Sequence, residues 1–417
     1  MPNPRQDRFA RPLLRKRFRH VAAALLSTAL LFIGPAAAWA EESIVIDFVR
    51  HGQTPDNVAD IISTSVPGGE LTQTGQEEAQ AVANVLAPLQ PVGIYASELI
   101  RTQETAAPLA TLLDLPVQVL PGLNEIGAGI YNGYPTDSLA GILWELPPVA
   151  WVLGLDFVPI PGSTDPNGMA FDESFSAAVQ AIYDNTVSVA SVNGNPTDVA
   201  FSSEGAIATW TLMNVNNPDF LLVLTQWLDT GQLLPNTGIV AVEGDPQDGW
   251  TLVSWNGEPV PPASLPTELF VDARDLIEAP QLAGYNIHEA LLTGDPTTIV
   301  NAIQDGVDNV GTATLHFPVA VISDIVDAVL GTSSASTVAD TSTDIQNAAA
   351  NLGTELNLGT LPGGFSLDAP FSGFNLGDLS ADLANLFPTI ATGLGGLLPG
   401  ELGATVVESL VSSLALL

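Results

Sequence analysis

Residues 44–54 read IVIDFVRHGQT. The first six, IVIDFV, are short, almost wholly apolar and rich in β-branched side chains, the pattern of a parallel strand buried on both faces. An arginine, a histidine and a glycine follow at once. Ligand sites of open α/β sheets form beyond the carboxyl ends of the strands, so Arg50 and His51 stand where chemistry is done. Working outward, strand-like and helix-like segments alternate as far as residue 257. Residues 92–97, 116–120 and 198–203 (DVAFSS) read as strands. Residues 75–89 (GQEEAQAVANVLAPL), 99–113, 171–189 and 205–215 read as helices, the first with acids in its opening turn as the helix dipole favours. Residues 238–244 and 250–256 are expected to pair as closing strands around the turn DPQDG. The alternation predicts an α/β domain with a mainly parallel sheet flanked by helices.

Charge narrows the function. Ten Lys and Arg stand against 46 Asp and Glu, a formal charge of −36. Seven of the ten bases and a single acid lie in the first 40 positions. Residues 41–417 therefore carry 45 acids against three arginines (Arg50, Arg101 and Arg274), formally −42. Such a chain repels the phosphate backbone and anionic membranes, which argues against nucleic-acid binding. With 46% hydrophobic and 13% charged residues it is a folding sequence rather than a disordered acidic one. It contains no cysteine, so no disulfide or thiolate metal site contributes, and no loop matches a cation-binding pattern.

The chemistry-bearing residues come in order. Arg50-His51-Gly52-Gln53-Thr54 is followed by Asn57. Leu71-Thr72 precedes Gly75 at a helix start. Ser97, Leu99, Arg101, Thr105 and Ala106 form S-x-L-x-R-x-x-x-T-A, and Leu123-Asn124-Glu125 forms L-x-E. This ordered set resembles the histidine phosphatase (phosphoglycerate mutase-like) superfamily over roughly residues 44–257. The resemblance implies an α/β fold, no cofactor and a small phosphomonoester as substrate. It implies His51 as a nucleophile that becomes phosphohistidine, and Glu125 as the acid that protonates the leaving oxygen. Arg50 and Arg101 would clamp the phosphoryl oxygens, with Asn57 as a further donor. The charge pattern agrees independently: two of the three cations left after residue 40 fall at the two clamp positions, and guanidinium forks suit phosphate.

One motif departs. The family's second histidine is expected after a late strand, in a segment like V-S-H-G-G-x-I. Here the segment is Phe201-Ser202-Ser203-Glu204-Gly205-Ala206-Ile207, with Ser203 at the histidine position. Serine can still donate to phosphate, and a helix opening at Gly205 would add backbone donors. Glu204 would either repel the phosphate or orient His51. Three readings follow: a phosphomonoesterase working through phosphohistidine, a catalytically weakened phospho-ligand binder, or a cell-envelope protein using the fold as a scaffold.

The flanks complete the organisation. Residues 1–40 have a basic start, the 13-residue apolar run VAAALLSTALLFI (21–33) and the small-x-small site Ala38-Trp39-Ala40, so they read as a secretory signal. Too short to span a bilayer comfortably, this segment predicts an extracytoplasmic protein, with residues 41–260 as the phosphatase-like domain and 261–417 as an acidic, apolar extension. Export takes the chain away from glycolytic substrates and so favours hydrolysis over a mutase reaction. Residues 131–162 form an apolar insertion that is either a lid for a bulky phosphomonoester or a packing surface for the tail. In the extension, 296–310 and 319–330 read as helices, and 353–401 is rich in Gly, Leu and Pro. Residues 286–330 resemble mycobacterial PE/PPE-type proteins, which implies envelope association through the tail. His288 and His316 read as ordinary helix and strand positions, and Arg274 as a partner of its flanking acids.

Overall fold

The computed structural model describes residues 43–188 and 196–330. The expected signal segment and the Gly/Leu/Pro-rich stretch lie outside them. In chain order the elements are β1 (Ile44–Arg50), α1 (Pro55–Val58), α2 (Gln73–Leu86), β2 (Ile94–Ala96), α3 (Ile100–Leu113), β3 (Val117–Val119), α4 (Leu139–Val152) and α5 (Gly168–Val187). There follow β4 (Thr197–Ser202), α6 (Glu204–Asn214), α7 (Phe220–Thr230), β5 (Ile239–Asp245), β6 (Gly249–Trp255), β7 (Glu258–Pro259), α8 (Leu265–Thr293) and α9 (Pro296–Leu330).

The strands form one seven-stranded sheet in the order β3-β2-β4-β1-β5-β6-β7. β3, β2, β4 and β1 run parallel, while β5, β6 and β7 add an antiparallel wing beside β1. The expected closing pair is thus present, and it makes the sheet mixed around a parallel core. The period-two alternation of β1 sends Ile44, Ile46 and Phe48 to one face and Val49 to the other. On the first face Phe48 meets Phe175 of α5 and Trp210 of α6 at ring separations of 5.6 and 5.3 Å, edge-on or tilted as aromatic quadrupoles prefer. On the second, Val82, Ala83 and Leu86 of α2 and Ala106 and Leu109 of α3 cover Val49, Ile94, Val199 and Phe201. The result is a sheet between two helical layers, with the carboxyl ends of β1, β2 and β4 side by side.

Some expectations shift. α2 begins at Gln73, because the Thr72 side chain caps it by accepting from the Gly75 N–H at 3.0 Å. Glu77 and Glu78 therefore fall in the second turn, and the first contains no acid. The two helices expected in the extension are one continuous α9, and His316 lies on it rather than on a strand. Of α8, the sequence marks only the helical setting of His288. The helix carries Pro280 in its interior, which reads as a breaker, yet it runs 29 residues to Gly294, whose φ of +66° provides the left-handed cap. Arg274, on α8, is buried and pairs with Asp275 at 3.2 Å and Glu278 at 3.7 Å. Asp275 is one of the two flanking acids expected, and Glu278 lies one helical turn further on.

Candidate active site

The loop after β1 is locked before any ligand arrives. Gly52 crosses the start of α2 so closely that a Cβ on it would lie 2.5 Å from the Gly75 carbonyl oxygen, and one on Gly75 would lie 2.1 Å from that of Gln53. The glycines of the first two motifs are therefore required by one backbone crossing. Thr105 Oγ1 accepts from the Gly52 N–H at 2.9 Å, which ties the third motif to the same loop. Asn124 bridges the third and fourth motifs: its Oδ1 accepts from the Glu98 N–H, and its Nδ2 donates to Glu98 Oε2, both at 2.9 Å.

His51 is buried, and its Nδ1 lies 2.8 Å from the Gly52 carbonyl oxygen. A carbonyl only accepts, so Nδ1 carries the proton and Nε2 keeps its lone pair. Burial, then Arg101, then Arg50 push the imidazole well below its ordinary range, against a smaller opposing effect of the Gly52 carbonyl. The ring is neutral at physiological pH.

Arg101 leaves the first turn of α3 and is buried. Its Nη1 donates to the Ser63 carbonyl at 2.9 Å and its Nη2 to Ser203 Oγ at 3.0 Å. Arg50 Nη1 donates to the Leu234 carbonyl and to Gln232 Oε1, and it forms an ion pair with Glu204 Oε2 at 2.6 Å. In both arginines the buried Nε has no acceptor among the described residues. An unsatisfied buried guanidinium N–H is costly, and two on neighbouring cations suit an incoming anion.

Glu125 follows the turn after β3. Its Oε1 accepts from the N–H groups of Ile126 (2.9 Å) and Ala206 (2.8 Å), and Oε2 accepts from Gly205 at 3.3 Å. Gly205 leaves room for it, since a Cβ there would meet Oε1 at 2.9 Å. Burial pushes the Glu125 carboxyl up, with Arg101 pulling the other way. A carboxyl in that state can hold a proton, and Oε2, with the longer bond, has room for it.

The structure thus gathers Arg50, His51, Arg101, Glu125 and Ser203 into one buried cluster. Asn57 joins at its edge. Its Oδ1 accepts from the Thr54 N–H at 3.0 Å and from Asn236 Nδ2 at 3.3 Å, while Asn236 also donates to the His51 carbonyl at 3.0 Å. Two expectations about the departing motif are corrected. α6 opens at Glu204, and the N–H groups of Gly205 and Ala206 are taken by Glu125 rather than left for phosphate. Glu204 does not bond to His51: it pairs with Arg50 and accepts from the Leu233 N–H at 2.6 Å.

Residues that the sequence reading missed lie on two loops. Gln232, Leu233, Leu234 and Asn236 belong to GQLLPNTG (231–238), whose Gly, Pro and Asn mark a loop. Its Thr237 has φ +56°, a strained value for a β-branched residue, where its N–H meets the Arg50 carbonyl at 3.1 Å. The Pro67-Gly68-Gly69 turn is the other; Gly68 packs near Arg101, and Asp56 lies beside Gly69 and Arg101. Among the described residues no group of three His, Cys, Asp or Glu is arranged to hold a metal ion.

The chain is similar to several known proteins. A PE-PGRS family protein of Mycobacterium tuberculosis, PE_PGRS11, is 56% identical over 292 residues, which cover 69% of this chain and 49% of that protein. The chain thus spans about half the length of that relative. The glucosyl-3-phosphoglycerate phosphatase of M. tuberculosis is 36% identical over 85 residues, 20% of this chain and 38% of that one. A solved structure of a mycobacterial glucosyl-3-phosphoglycerate phosphatase aligns with TM-score 0.39 and 23% identity, covering 54% of this chain and all of that one. The histidine phosphatase superfamily (branch 1) matches residues 46–257. By that match over half its length, the chain belongs to the histidine phosphatase superfamily.

Proposed function

We propose that this chain is an exported phosphomonoester hydrolase that works through a phosphohistidine on His51, with turnover restrained by Ser203 and Glu204. The observation that carries the reading is the His51–Gly52 hydrogen bond, which leaves Nε2 of a neutral, buried imidazole as a nucleophile. In the first step the Nε2 lone pair forms a bond to phosphorus as the ester P–O bond breaks, and the Glu125 carboxyl gives its proton to the leaving oxygen. In the second, water attacks the phosphohistidine, Glu125 takes a proton from it, and the N–P bond breaks to release phosphate. Arg50 and Arg101 hold the non-bridging oxygens through donors that include the unspent Nε atoms, with Asn57 as a neutral donor.

Ser203 Oγ already accepts from Arg101 and has one O–H left to offer. Glu204 competes with substrate for Arg50. The same two contacts favour the second reading, a phospho-ligand binder with little turnover. The apolar insertion supports an apolar or bulky leaving group. α4 leaves Leu139, Ile142, Leu146 and Val149 exposed, and its Glu145 is close enough to Glu204 to be pushed up further beyond the effect of burial. Export rests on residues 1–40 and envelope association on the PE-PGRS relative. No helix among the described residues is long and apolar enough to cross a membrane.

The test is hydrolysis of an aryl phosphate by the full chain, His51→Ala and Ser203→His. The reading expects measurable turnover in the parent, none in His51→Ala and a gain in Ser203→His. An inactive parent with a clear gain in Ser203→His would select the binder. Activity that survives His51→Ala would reject the nucleophile.

A further inference from the structure

Towards the far end of α6 from the phosphate site lies a second cavity, of about 190 Å³, between α5, α6, β6 and the two C-terminal helices. Six carboxylates line it (Asp156, Asp172, Asp248, Asp272, Asp275 and Glu278), with one guanidinium, Arg274, and the imidazole of His316 on α9. The guanidinium is already engaged: Nε and Nη2 donate to Asp275 Oδ1 at 3.3 and 3.2 Å, and Nη1 donates to the Leu212 carbonyl at 3.1 Å. Two buried oxygens remain without a donor. Asp156 and Glu278 are each only 6% exposed, yet Asp156 Oδ1 and Glu278 Oε1 have no hydrogen-bond partner. The nearest guanidinium nitrogen to Glu278 Oε1 is 3.7 Å away, an ion-pair distance rather than a hydrogen bond. Buried acceptors of this kind are normally satisfied. The apolar part of the wall comes from Trp210, Trp250, Met213 and Val179, with the two indole rings 6.2 Å apart.

We propose that this cavity binds a small organic cation bearing N–H donors, a primary ammonium or amidinium group, through Asp156 and Glu278. The chemistry selects that class. Unpaired carboxylate oxygens need a donor, which a quaternary ammonium lacks. The carboxylates are not arranged for a metal ion among the described residues. The cavity is smaller than those that hold drug-sized ligands, about 300 Å³ and upward, so the cation is compact, with a short apolar stem against the indoles. The acidic chain draws cations towards it.

Both carboxyls are biased towards their neutral forms. Burial first, then Asp172, push Asp156 up to about 7 against the pull of Arg274. Burial and then Asp156 hold Glu278 well above the ordinary carboxylate range, opposed by Arg274. A cation placed between them favours the charged forms, so binding releases protons.

Calorimetric titration of the full chain with 1,4-diaminobutane and with tetramethylammonium, at neutral pH in two buffers of different ionisation heat, tests this. Saturable binding of the diamine with proton release is expected, at least about tenfold tighter than tetramethylammonium. Asp156→Asn should weaken the diamine at least about tenfold and reduce the proton release, with orthovanadate binding at the phosphate site unchanged. Glu278→Gln serves as the second variant should Asp156→Asn fail to fold. No saturable diamine binding, equal affinity for the two cations, or affinity unchanged in the folded variants would overturn the proposal.

Discussion

β1 and β4 lie side by side and run in the same direction, with Arg50 beside Ser202 in register, yet their carboxyl ends are furnished differently. β1 ends in a cation, a neutral imidazole with one ring nitrogen free, and a glycine that packs on α2. β4 ends in Ser203 and Glu204, and the carboxylate of Glu204 bonds back to the cation on β1. The backbone at the two ends serves the same purpose, because in a parallel sheet both point at one site. The side chains pull in opposite directions: one end presents a cation, and the other sets a resident anion against it. Strand position and site position are thus set by packing, whereas chemical strength depends on a few side chains that packing hardly constrains.

The most severe way to break this comparison is to give the second end back its cation-capable donor. Ser203→His should raise kcat on an aryl phosphate by about 10²–10³, the effect of one well-placed oxyanion donor. No gain, in a variant that still binds vanadate, would mean that Ser203 is not what limits turnover. Next comes the competing anion. Glu204→Gln should free Arg50 and tighten orthovanadate roughly tenfold, about 1.4 kcal/mol; unchanged affinity would show that the Arg50–Glu204 pair opens without cost.

A smaller effect distinguishes the sheet from its loops. Burial pushes the carboxyl of Asp47 in β1, and that of Asp198 in β4, up to about 6. Both hold a proton in the folded chain at a pH where the unfolded chain has lost it. Their neutral forms are accommodated at acid pH, and stability falls as pH rises from the ordinary carboxylate range through about 6. Relative to Asp47→Asn, the melting temperature of the parent should drop by on the order of 5 °C between about pH 4 and pH 7, a comparison that removes the opposing titration of buried His51. A parent that gains on Asp47→Asn over this interval would contradict the account. The smallest effect tests the field around the clamp. Raising ionic strength from about 0.01 to 0.15 M should increase kcat/KM for a dianionic ester roughly twofold, by screening the chain's own repulsion. A decrease would show that Arg50 and Arg101 dominate the approach.

What the sequence made legible was local. The apolar run 44–49, the glycines at 52 and 75 and the spacing from Ser97 to Ala106 set the first strand, the crossing loop and the start of α3 that carries Arg101, because each depends on neighbours in the chain or on one backbone contact. The contacts that qualify the site join distant residues. Arg50 meets Glu204 and the 232–234 loop more than 150 positions later, and Glu125 occupies the start of α6 some 80 positions on. No local pattern marks such pairs. The full length of α8 was obscured for a different reason: Pro280 reads as a breaker, yet the helix continues through it to Thr293. The acidic cavity was illegible because it gathers Asp156, Asp172, Asp248 and Glu278 from four separate segments of a chain that is acidic almost everywhere.

The central claim is that the intact end of β1 carries the chemistry. It is tested most directly by stopping a reaction of the full chain with an aryl phosphate and locating any covalently bound phosphoryl group by mass spectrometry. The account predicts an acid-labile phosphoryl group on His51, absent in His51→Ala and shorter-lived in Ser203→His. Turnover with no phosphohistidine at His51, or turnover that persists in His51→Ala, would contradict it.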